Sequence, residues 1–356
     1  MDFHTSKNGL ILNRRTALKL AGASSMAAIA GLSSTSVARA ATPKRGGTLK
    51  IAMSQGSTTE SLDPATYLDT HMFFVGFTLG NALVEIGPDR APKPELAESW
   101  EGSPDAKKWT FKIRKGVQFH NGKELTPQDV VYSLTRHIGA DSKSAAKGFL
   151  ANVTSITGDG DTVVIELSAG DADIPIIMGD FHLQIVPDGF ADWTKFVGTG
   201  PYILESFNPG INLVAKRNPN YWKSDRAWVD AVEVLFIPDA TARLNALTGG
   251  EVHVIDRVDS KIVEQLKGMN AYNIVEGVGG RYETSVMDVR KAPFNDANVR
   301  LAVKYAIDRQ EIVEKVFQGY ASVGNDHPIP PMDPFFHTEL PQRSYDPDKA
   351  REPLIY

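Results

Sequence analysis

The sequence predicts a mixed α/β fold, and three stretches carry the prediction. Val197–Trp222 reads as a hairpin: Gly198-Thr199-Gly200-Pro201 is turn chemistry, Tyr202–Leu204 a strand, Asn208-Pro209-Gly210 a reversal and Ile211–Ala215 the returning strand. Trp109–Arg114 alternates with Trp109, Phe111 and Ile113 on one face, and a helix start follows it at Thr126-Pro127. Val232–Ile237, Ala240–Leu247 and Glu251–Asp256 then read as strand, helix and strand.

Along the chain, Gly46-Gly47 precedes the alternating strand Thr48–Met53, and Ser61–Pro64 is a turn leading to a helix over Met72–Val84. Pro88–Pro94 is a Pro-rich loop. After Trp109–Arg114, Lys115-Gly116 turns the chain and Val117–His120 is expected to pair back, closing at Asn121-Gly122. Thr126 suits an N-cap, Pro127 the first helical position, and Asp129 complements the helix dipole. Val130, Val131 and Leu134 supply that helix with a buried stripe. Gly158–Asp161 sits between Val153–Ile156 and Thr162–Leu167 as a hairpin turn; a calcium loop would need further spaced oxygen ligands. Asp239 is placed to cap Ala240–Leu247, which Gly249-Gly250 stops. Leu301–Gln318 reads as one helix through Leu301, Ala302, Tyr305, Ala306, Ile312, Val313 and Val316, and Asp346-Pro347 opens a last one.

With 356 residues, 42% hydrophobic and 23% charged, the composition is that of a globular protein of roughly two or three domains. Met1–Ala40 reads as an export signal to be set aside. Arg14-Arg15 precede a weakly apolar run, Leu20–Leu32, and Ala38 and Ala40 offer small residues for cleavage after Ala40. The arginine pair points to Tat export, with an ordinary Sec signal as the alternative. Removing residues 1–40 takes away five basic residues and one acidic one, so 38 and 43 become 33 and 42, a formal net charge of −9. That balance argues against nucleic acid and anionic membranes as partners. Without cysteine there is no disulfide, thiol nucleophile or lipid acceptor, so the mature chain is expected free in the periplasm.

Several stretches together resemble the family 5 solute-binding proteins, the extracytoplasmic receptors of peptide-, opine- and nickel-type ABC importers. Gly198–Leu204 resembles the family's G-T-G-P-Y-x-L strand and Arg217–Trp222 its R-N-P-x-Y-W turn. Gly46–Pro64 is similar to G-G-T-L-x-I … S-L-D-P, and Pro94–Trp100 to P-x-L-A-E-S-W. Trp109–Ser133 resembles the longest signature, W-T-F-x-L-R-x-G-V-x-F-H-x-G-x-x-x-T-x-x-D-V-x-x-S, with Ile113 where Leu is usual. Pro293–Asp308 resembles P-F-x-D-x-x-V-R-x-A-x-x-Y-A-I-D, while Met287-Asp288 replaces a common Phe-Asn. The resemblance implies a two-lobe periplasmic-binding-protein fold with an extra subdomain in lobe I. Residues 41–80 and 192–252 would form lobe I, 81–191 the inserted subdomain, and 253–356 lobe II. Members run longer, and Pro353 cannot sit inside the last helix without a cost of ~3 kcal/mol. Lobe II is therefore expected to be incomplete, through C-terminal truncation.

The resemblance further implies capture of oligopeptides or dipeptides between the lobes, delivery to an inner-membrane ABC permease, and a monomer. The alternatives are a Tat-exported periplasmic hydrolase, or a receptor for a nickel chelate, an opine or a sugar. No G-x-S-x-G, phosphate loop or metal-ligand spacing is present, so no catalytic residue, metal site or cofactor is expected. His120, at a hairpin end, reads as structural. Ligands in open α/β sheets sit off the carboxyl ends of the strands. By position, Tyr67 and Thr70 after the first strand, and Tyr282, Ser285 and Met287 on a strand before Lys291, are expected to face the cleft.

Overall fold

The computed structural model describes residues 43–352 apart from 278, 280, 281, 325, 332 and 334. The expected signal, the cleavage point at Ala40 and Pro353 lie outside the described residues. β1 (Thr48–Met53) is the alternating strand expected, its last three residues buried. Asp63 caps a short 3-10 turn, accepting from Ala65 N at 3.0 Å, and α1 (Thr70–Leu79) follows. This helix stops short of the expected Val84. Gly80 is extended, and beyond it Val84 N donates to Met178 O while Leu83 O accepts from Ala97 N. The backbone there is committed to other elements and cannot close helical turns.

β2 (Val84–Ile86) and β3 (Pro92–Pro94) form a small antiparallel pair. β4 (Ala97–Gly102), β5 (Lys108–Ile113), β6 (Val153–Asp159) and β7 (Thr162–Leu167) form an antiparallel sheet ordered β4-β5-β7-β6. Both edges of β5 are therefore occupied. Val117–His120 does not pair back on it but curls around Asn121-Gly122, with Phe119 N donating to Lys123 O and Leu125 N to Val117 O at 2.8 Å each. α2 (Pro127–Thr135) starts as its sequence predicts: Thr126 N and Oγ1 donate to Asp129 Oδ2 at 2.8 and 2.7 Å. Its Val130 and Leu134 pack with Phe111, Ile113, Val163 and Ile165 in the core of this sheet. α3 (Ile174–Ile177) is a single turn.

β8 (Tyr202–Asn208) and β9 (Asn212–Arg217) make the expected hairpin, and β10 (Ala231–Phe236), α4 (Ala240–Thr248) and β11 (Val254–Ile255) follow. These strands join β1 in a second sheet ordered β11-β1-β10-β9-β8. β1 runs parallel to β10, from Thr48 opposite Ala231 to Met53 opposite Phe236, and parallel to β11 on its other side. α1 packs on this sheet through Met72, Val75 and Leu79, against Leu213, Val234 and Phe236. β11 is shorter than expected because Glu251 N and Val252 N both donate back to Ala246 O, closing α4.

α5 (Ser260–Gly268), α6 (Ala297–Ala306), α7 (Arg309–Glu311), which runs on into a π-helical segment over Ile312–Val316, and α8 (Pro347–Arg351) follow. Leu301–Gln318 is not one helix. Ile307 is extended (φ −92°, ψ 114°), and the Asp308 carboxylate accepts from Glu311 N at 2.9 Å, starting a new helical segment. The expected strand before Lys291 does not form either: a strand exists only by pairing in a ladder, and residues 282–288 join none of the sheets. No helix among the described residues is long and apolar enough to cross a membrane.

Two histidines, His120 half-buried and His137 fully buried, tie loops to this frame. His120 N donates to Gly198 O at 2.9 Å and its Nε2 to Gly200 O at 3.1 Å, clamping the hairpin tip to the turn before β8. His137 Nδ1 meets Ser144 Oγ at 2.6 Å. Burial pushes both imidazoles down from 6.5 to about 4. The unfolded chain takes up protons at these groups from pH 6.5 downward, the folded chain only near pH 4. Stability is therefore expected to fall as pH drops through that window, by on the order of 3 kcal/mol for each group. Urea unfolding at pH 7 and pH 4.5 checks this; His120→Asn with His137→Asn should flatten the difference, and an equally steep profile would contradict it.

Candidate functional site

The parallel strands β1 and β11 end side by side, and their carboxyl ends open onto a polar ledge. Ser54 N and Oγ donate to the two Asp256 carboxylate oxygens at 2.7 and 2.8 Å. Arg243 Nε lies 3.6 Å from Asp256, while Arg243 Nη1 donates to Ile237 O and Pro238 O at 2.8 Å each. Arg257, exposed, donates to Gln55 Oε1 at 3.1 Å, and Gln55 Nε2 passes the chain on to Asp69 Oδ1 at 2.8 Å. One line of bonds thus joins the end of β11 to the start of α1 across the end of β1.

The loop after β1 is held from beneath. A Cβ on Gly56 would lie 2.6 Å from Phe236 Cβ, so the loop's close approach to β10 depends on glycine. The tip of the β8–β9 hairpin presses from the side: Gly210 (φ +72°) would place a Cβ 2.9 Å from Ser57 and Thr58 backbone. Ser57 N in turn donates to Glu60 Oε1 at 2.8 Å, and His71 Nε2 lies against the same oxygen.

Of the residues expected at the cleft, Thr70 is exposed at the first position of α1, beside Asp69. Tyr67 is a core side chain, 1% exposed, and this corrects its expected exposure to the cleft. Its hydroxyl donates to Leu62 O at 3.1 Å, its carbonyl accepts from His182 Nε2 at 2.7 Å, and burial raises the phenol's pKa. Tyr282 (56% exposed), Ser285 and the half-buried Met287 lie on irregular chain outside any sheet. No hydrogen bond among the described residues joins them to Tyr67 or Thr70. The ledge residues Ser54, Gln55, Asp69, Asp256 and Arg257 were not legible as a set. Only Asp69, at a helix N-cap position, and Asp256, ending a strand, carried a local signal.

A cavity of about 660 Å³ opens elsewhere, walled by Phe77, Ile86, Phe149 and Ile176. At its polar end, Lys223 Nζ bonds Glu95 Oε2 and lies 2.8 Å from Glu85 Oε2, and Arg226 Nη2 lies 2.7 Å from Glu85 Oε1. Asn81 Nδ2 donates to Glu95 Oε1 at 2.6 Å, and Asn81 Oδ1 accepts from Thr199 Oγ1 at 2.9 Å. Burial lifts the Glu95 carboxyl above its ordinary value; at Glu85 the same desolvation is outweighed by Lys223 and Arg226, and its carboxyl is held low. These charges answer one another, so the cavity offers a ligand mainly apolar wall. The ledge, with exposed donors at its rim, is the better candidate.

Residues 91–354 match the family described as bacterial extracellular solute-binding proteins, family 5. Heme-binding protein A of Haemophilus influenzae is 30% identical over 306 residues, covering 77% of this chain and 55% of that protein. Di/tripeptide-binding protein 1 of Pseudomonas aeruginosa is 28% identical over 346 residues, covering 88% of this chain and 64% of its own length. The periplasmic binding protein DppA of Helicobacter pylori, solved with the peptide STSA, superposes with a TM-score of 0.73 at 26% identity over 87% of this chain and 66% of that one. The chain thus spans less than two thirds of each of these relatives, and none of the three is described as an enzyme. The match over residues 91–354, most of the chain, places it in the family 5 bacterial extracellular solute-binding proteins.

Proposed function

We propose that this chain captures short peptides in the periplasm for an ABC permease of the inner membrane, as a binding component that leaves its ligand chemically unchanged. The ledge at the carboxyl ends of β1 and β11 is the observation that carries the reading. It presents a row of side-chain donors and acceptors backed by fixed glycine-dependent backbone, which suits an extended peptide recognised through its main chain. The di/tripeptide-binding protein of Pseudomonas aeruginosa and the Helicobacter pylori protein solved with a peptide support that class. Lobe I would comprise residues 41–80 and 192–252, with 81–191 inserted, and 253–356, whose first residues run through the ledge at Asp256 and Arg257, would form lobe II. Thr70 and Arg257 stand at the rim. Arg257 spends one donor on Gln55 and keeps others of its guanidinium for a ligand carboxylate. Tyr282, Ser285 and Met287 remain proposed contacts from the facing segment.

Calorimetric titration of the full chain with di- to pentapeptides should show one site, and mass spectrometry should return the peptide intact. Arg257→Ala is expected to weaken binding at least tenfold, the loss of a charge-assisted pair of about 1.5–3 kcal/mol. Absence of binding by a natively folded chain, or hydrolysis of the peptide, would overturn the proposal. An amidated peptide that binds as tightly as the acid would remove Arg257 from its assigned role.

A further inference from the structure

We propose that Glu60, Asp69 and His71 bind one divalent first-row transition cation, behind the ledge at the end of β1. This goes beyond peptide capture and does not depend on it. The two carboxylates and the imidazole each bring a ligand atom into a group whose members all lie within 4.8 Å of one another. The loop after β1 supplies Glu60, and the start of α1 supplies the other two.

Two features of the group point to a bound ligand. His71 is 1% exposed and its Nδ1 has no partner; the Glu60 side chain is 9% exposed and its Oε2 has none either. Buried polar atoms are nearly always bonded. In the neutral ring whose Nε2–H donates to Glu60, Nδ1 carries the lone pair, so Nδ1 and Glu60 Oε2 are then two acceptors that cannot satisfy each other. A cation answers two acceptors beside a third, and a water molecule is the competing occupant. Asp69 adds a related anomaly. It occupies the N-cap of α1 yet makes no side-chain capping bond, and its carboxylate is turned instead to Gln55 Nε2 at 2.8 Å. An aspartate that forgoes the helix end is left with lone pairs available to the group.

The donor set selects the ion. Magnesium and calcium favour oxygen ligands throughout, whereas an imidazole beside carboxylates suits zinc, nickel or ferrous iron. Ligand atoms about 2.0–2.2 Å from such an ion stand roughly 3–3.5 Å from one another. Closing the group from separations of at most 4.8 Å asks for a change of at most about 1.3–1.8 Å, which side-chain torsions of Glu60 and Asp69 can provide. Three protein ligands leave at least one coordination position for water.

The test uses the full chain, stripped with EDTA, dialysed and titrated calorimetrically with zinc chloride in the absence of peptide. One zinc per chain is expected, undisturbed by millimolar magnesium, with X-ray absorption reporting a single histidine nitrogen. Asp69→Asn keeps an oxygen for Gln55 and should leave the melting curve of the metal-free chain in place while weakening zinc at least tenfold. Glu60→Gln should do the same, and His71→Asn should abolish binding. A natively folded wild-type chain that takes no zinc would overturn the proposal, with a water as the occupant of the group. Zinc binding unchanged in both Asp69→Asn and Glu60→Gln would overturn it equally, by assigning the ion to histidines elsewhere. Peptide titration of the same samples reads the proposed function separately, so failure of one leaves the other standing.

Discussion

Replacing Lys223 by methionine is expected to cost about 3–5 kcal/mol of stability at neutral pH, the usual penalty for stripping a buried charge of its partner. Lys223 is the cation shared by Glu85 and Glu95, and Glu95 is only 4% exposed. Methionine fills much of the same volume, so the loss isolates charge rather than packing. Asn81 would remain as a donor to Glu95, but a neutral amide cannot balance a buried carboxylate. The pH dependence follows from the carboxyl's raised pKa. A Glu95 that holds its proton to a higher pH when folded than when unfolded makes the folded state relatively less stable as pH rises. The penalty in the variant should therefore be largest near pH 7 and shrink toward pH 4.5. Urea unfolding at both pH values reads this, and Glu95→Gln added to Lys223→Met should restore most of the loss at pH 7. A change below about 1 kcal/mol at pH 7 would show that the network is solvated rather than buried.

The second large effect is expected from one methyl group at Gly200. Its Cβ would lie 2.4 Å from Leu79 C, 2.5 Å from Gly80 N and 2.7 Å from Leu79 O, all of them backbone atoms. Gly200 N donates to Leu79 O at 3.1 Å, and its own carbonyl accepts from His120 Nε2 and Asn218 Nδ2 at 3.1 Å each. The end of α1, the turn before β8 and the tip at His120 meet at this point, so none can retreat without breaking a bond to another. Overpacking ordinarily costs about 1–3 kcal/mol where side chains can yield; here Gly200→Ala is expected to exceed that range and leave little soluble folded protein. Gly148→Ala is the control, since nothing lies within 4 Å of a Cβ there. Melting temperatures within about 3 °C of one another for the two variants would contradict the close approach.

What the sequence made legible was local. The capping box at Thr126 and Asp129, the Asn208–Gly210 reversal and the alternation of Thr48–Met53 are each decided by neighbours a few residues away. The failures have a different origin. Val117–His120 has strand character, but whether it pairs depends on β4 and β7 having already taken both edges of β5. The break at Ile307 turns on Asp308 behaving as a cap within an otherwise apolar helical pattern. Tyr67 carries no local mark of burial; a tyrosine after a strand serves a core or a cleft equally well until α1 folds over it. The ledge is the extreme case. Ser54 and Asp256 meet across 202 positions, and no periodicity reports such a distance.

The pairing of β1 with β10 also sets a clock on biosynthesis. Gly47 and Asp230, which bond at the start of the two strands, are 183 positions apart, and β10 ends only at Phe236. At roughly 5–20 residues per second, a ribosome needs about 10–40 s between finishing β1 and releasing the strand that completes it. Throughout that interval β1 has no neighbour on either side, because β11 is synthesised later still. Its buried residues Ile51, Ala52 and Met53 emerge early and wait. A nascent chain halted before Asp230 has a four-stranded sheet ready to fold and an orphaned strand ahead of it. Factors that hold unfolded chains therefore have their longest opportunity at the very segment on which the five-stranded sheet closes.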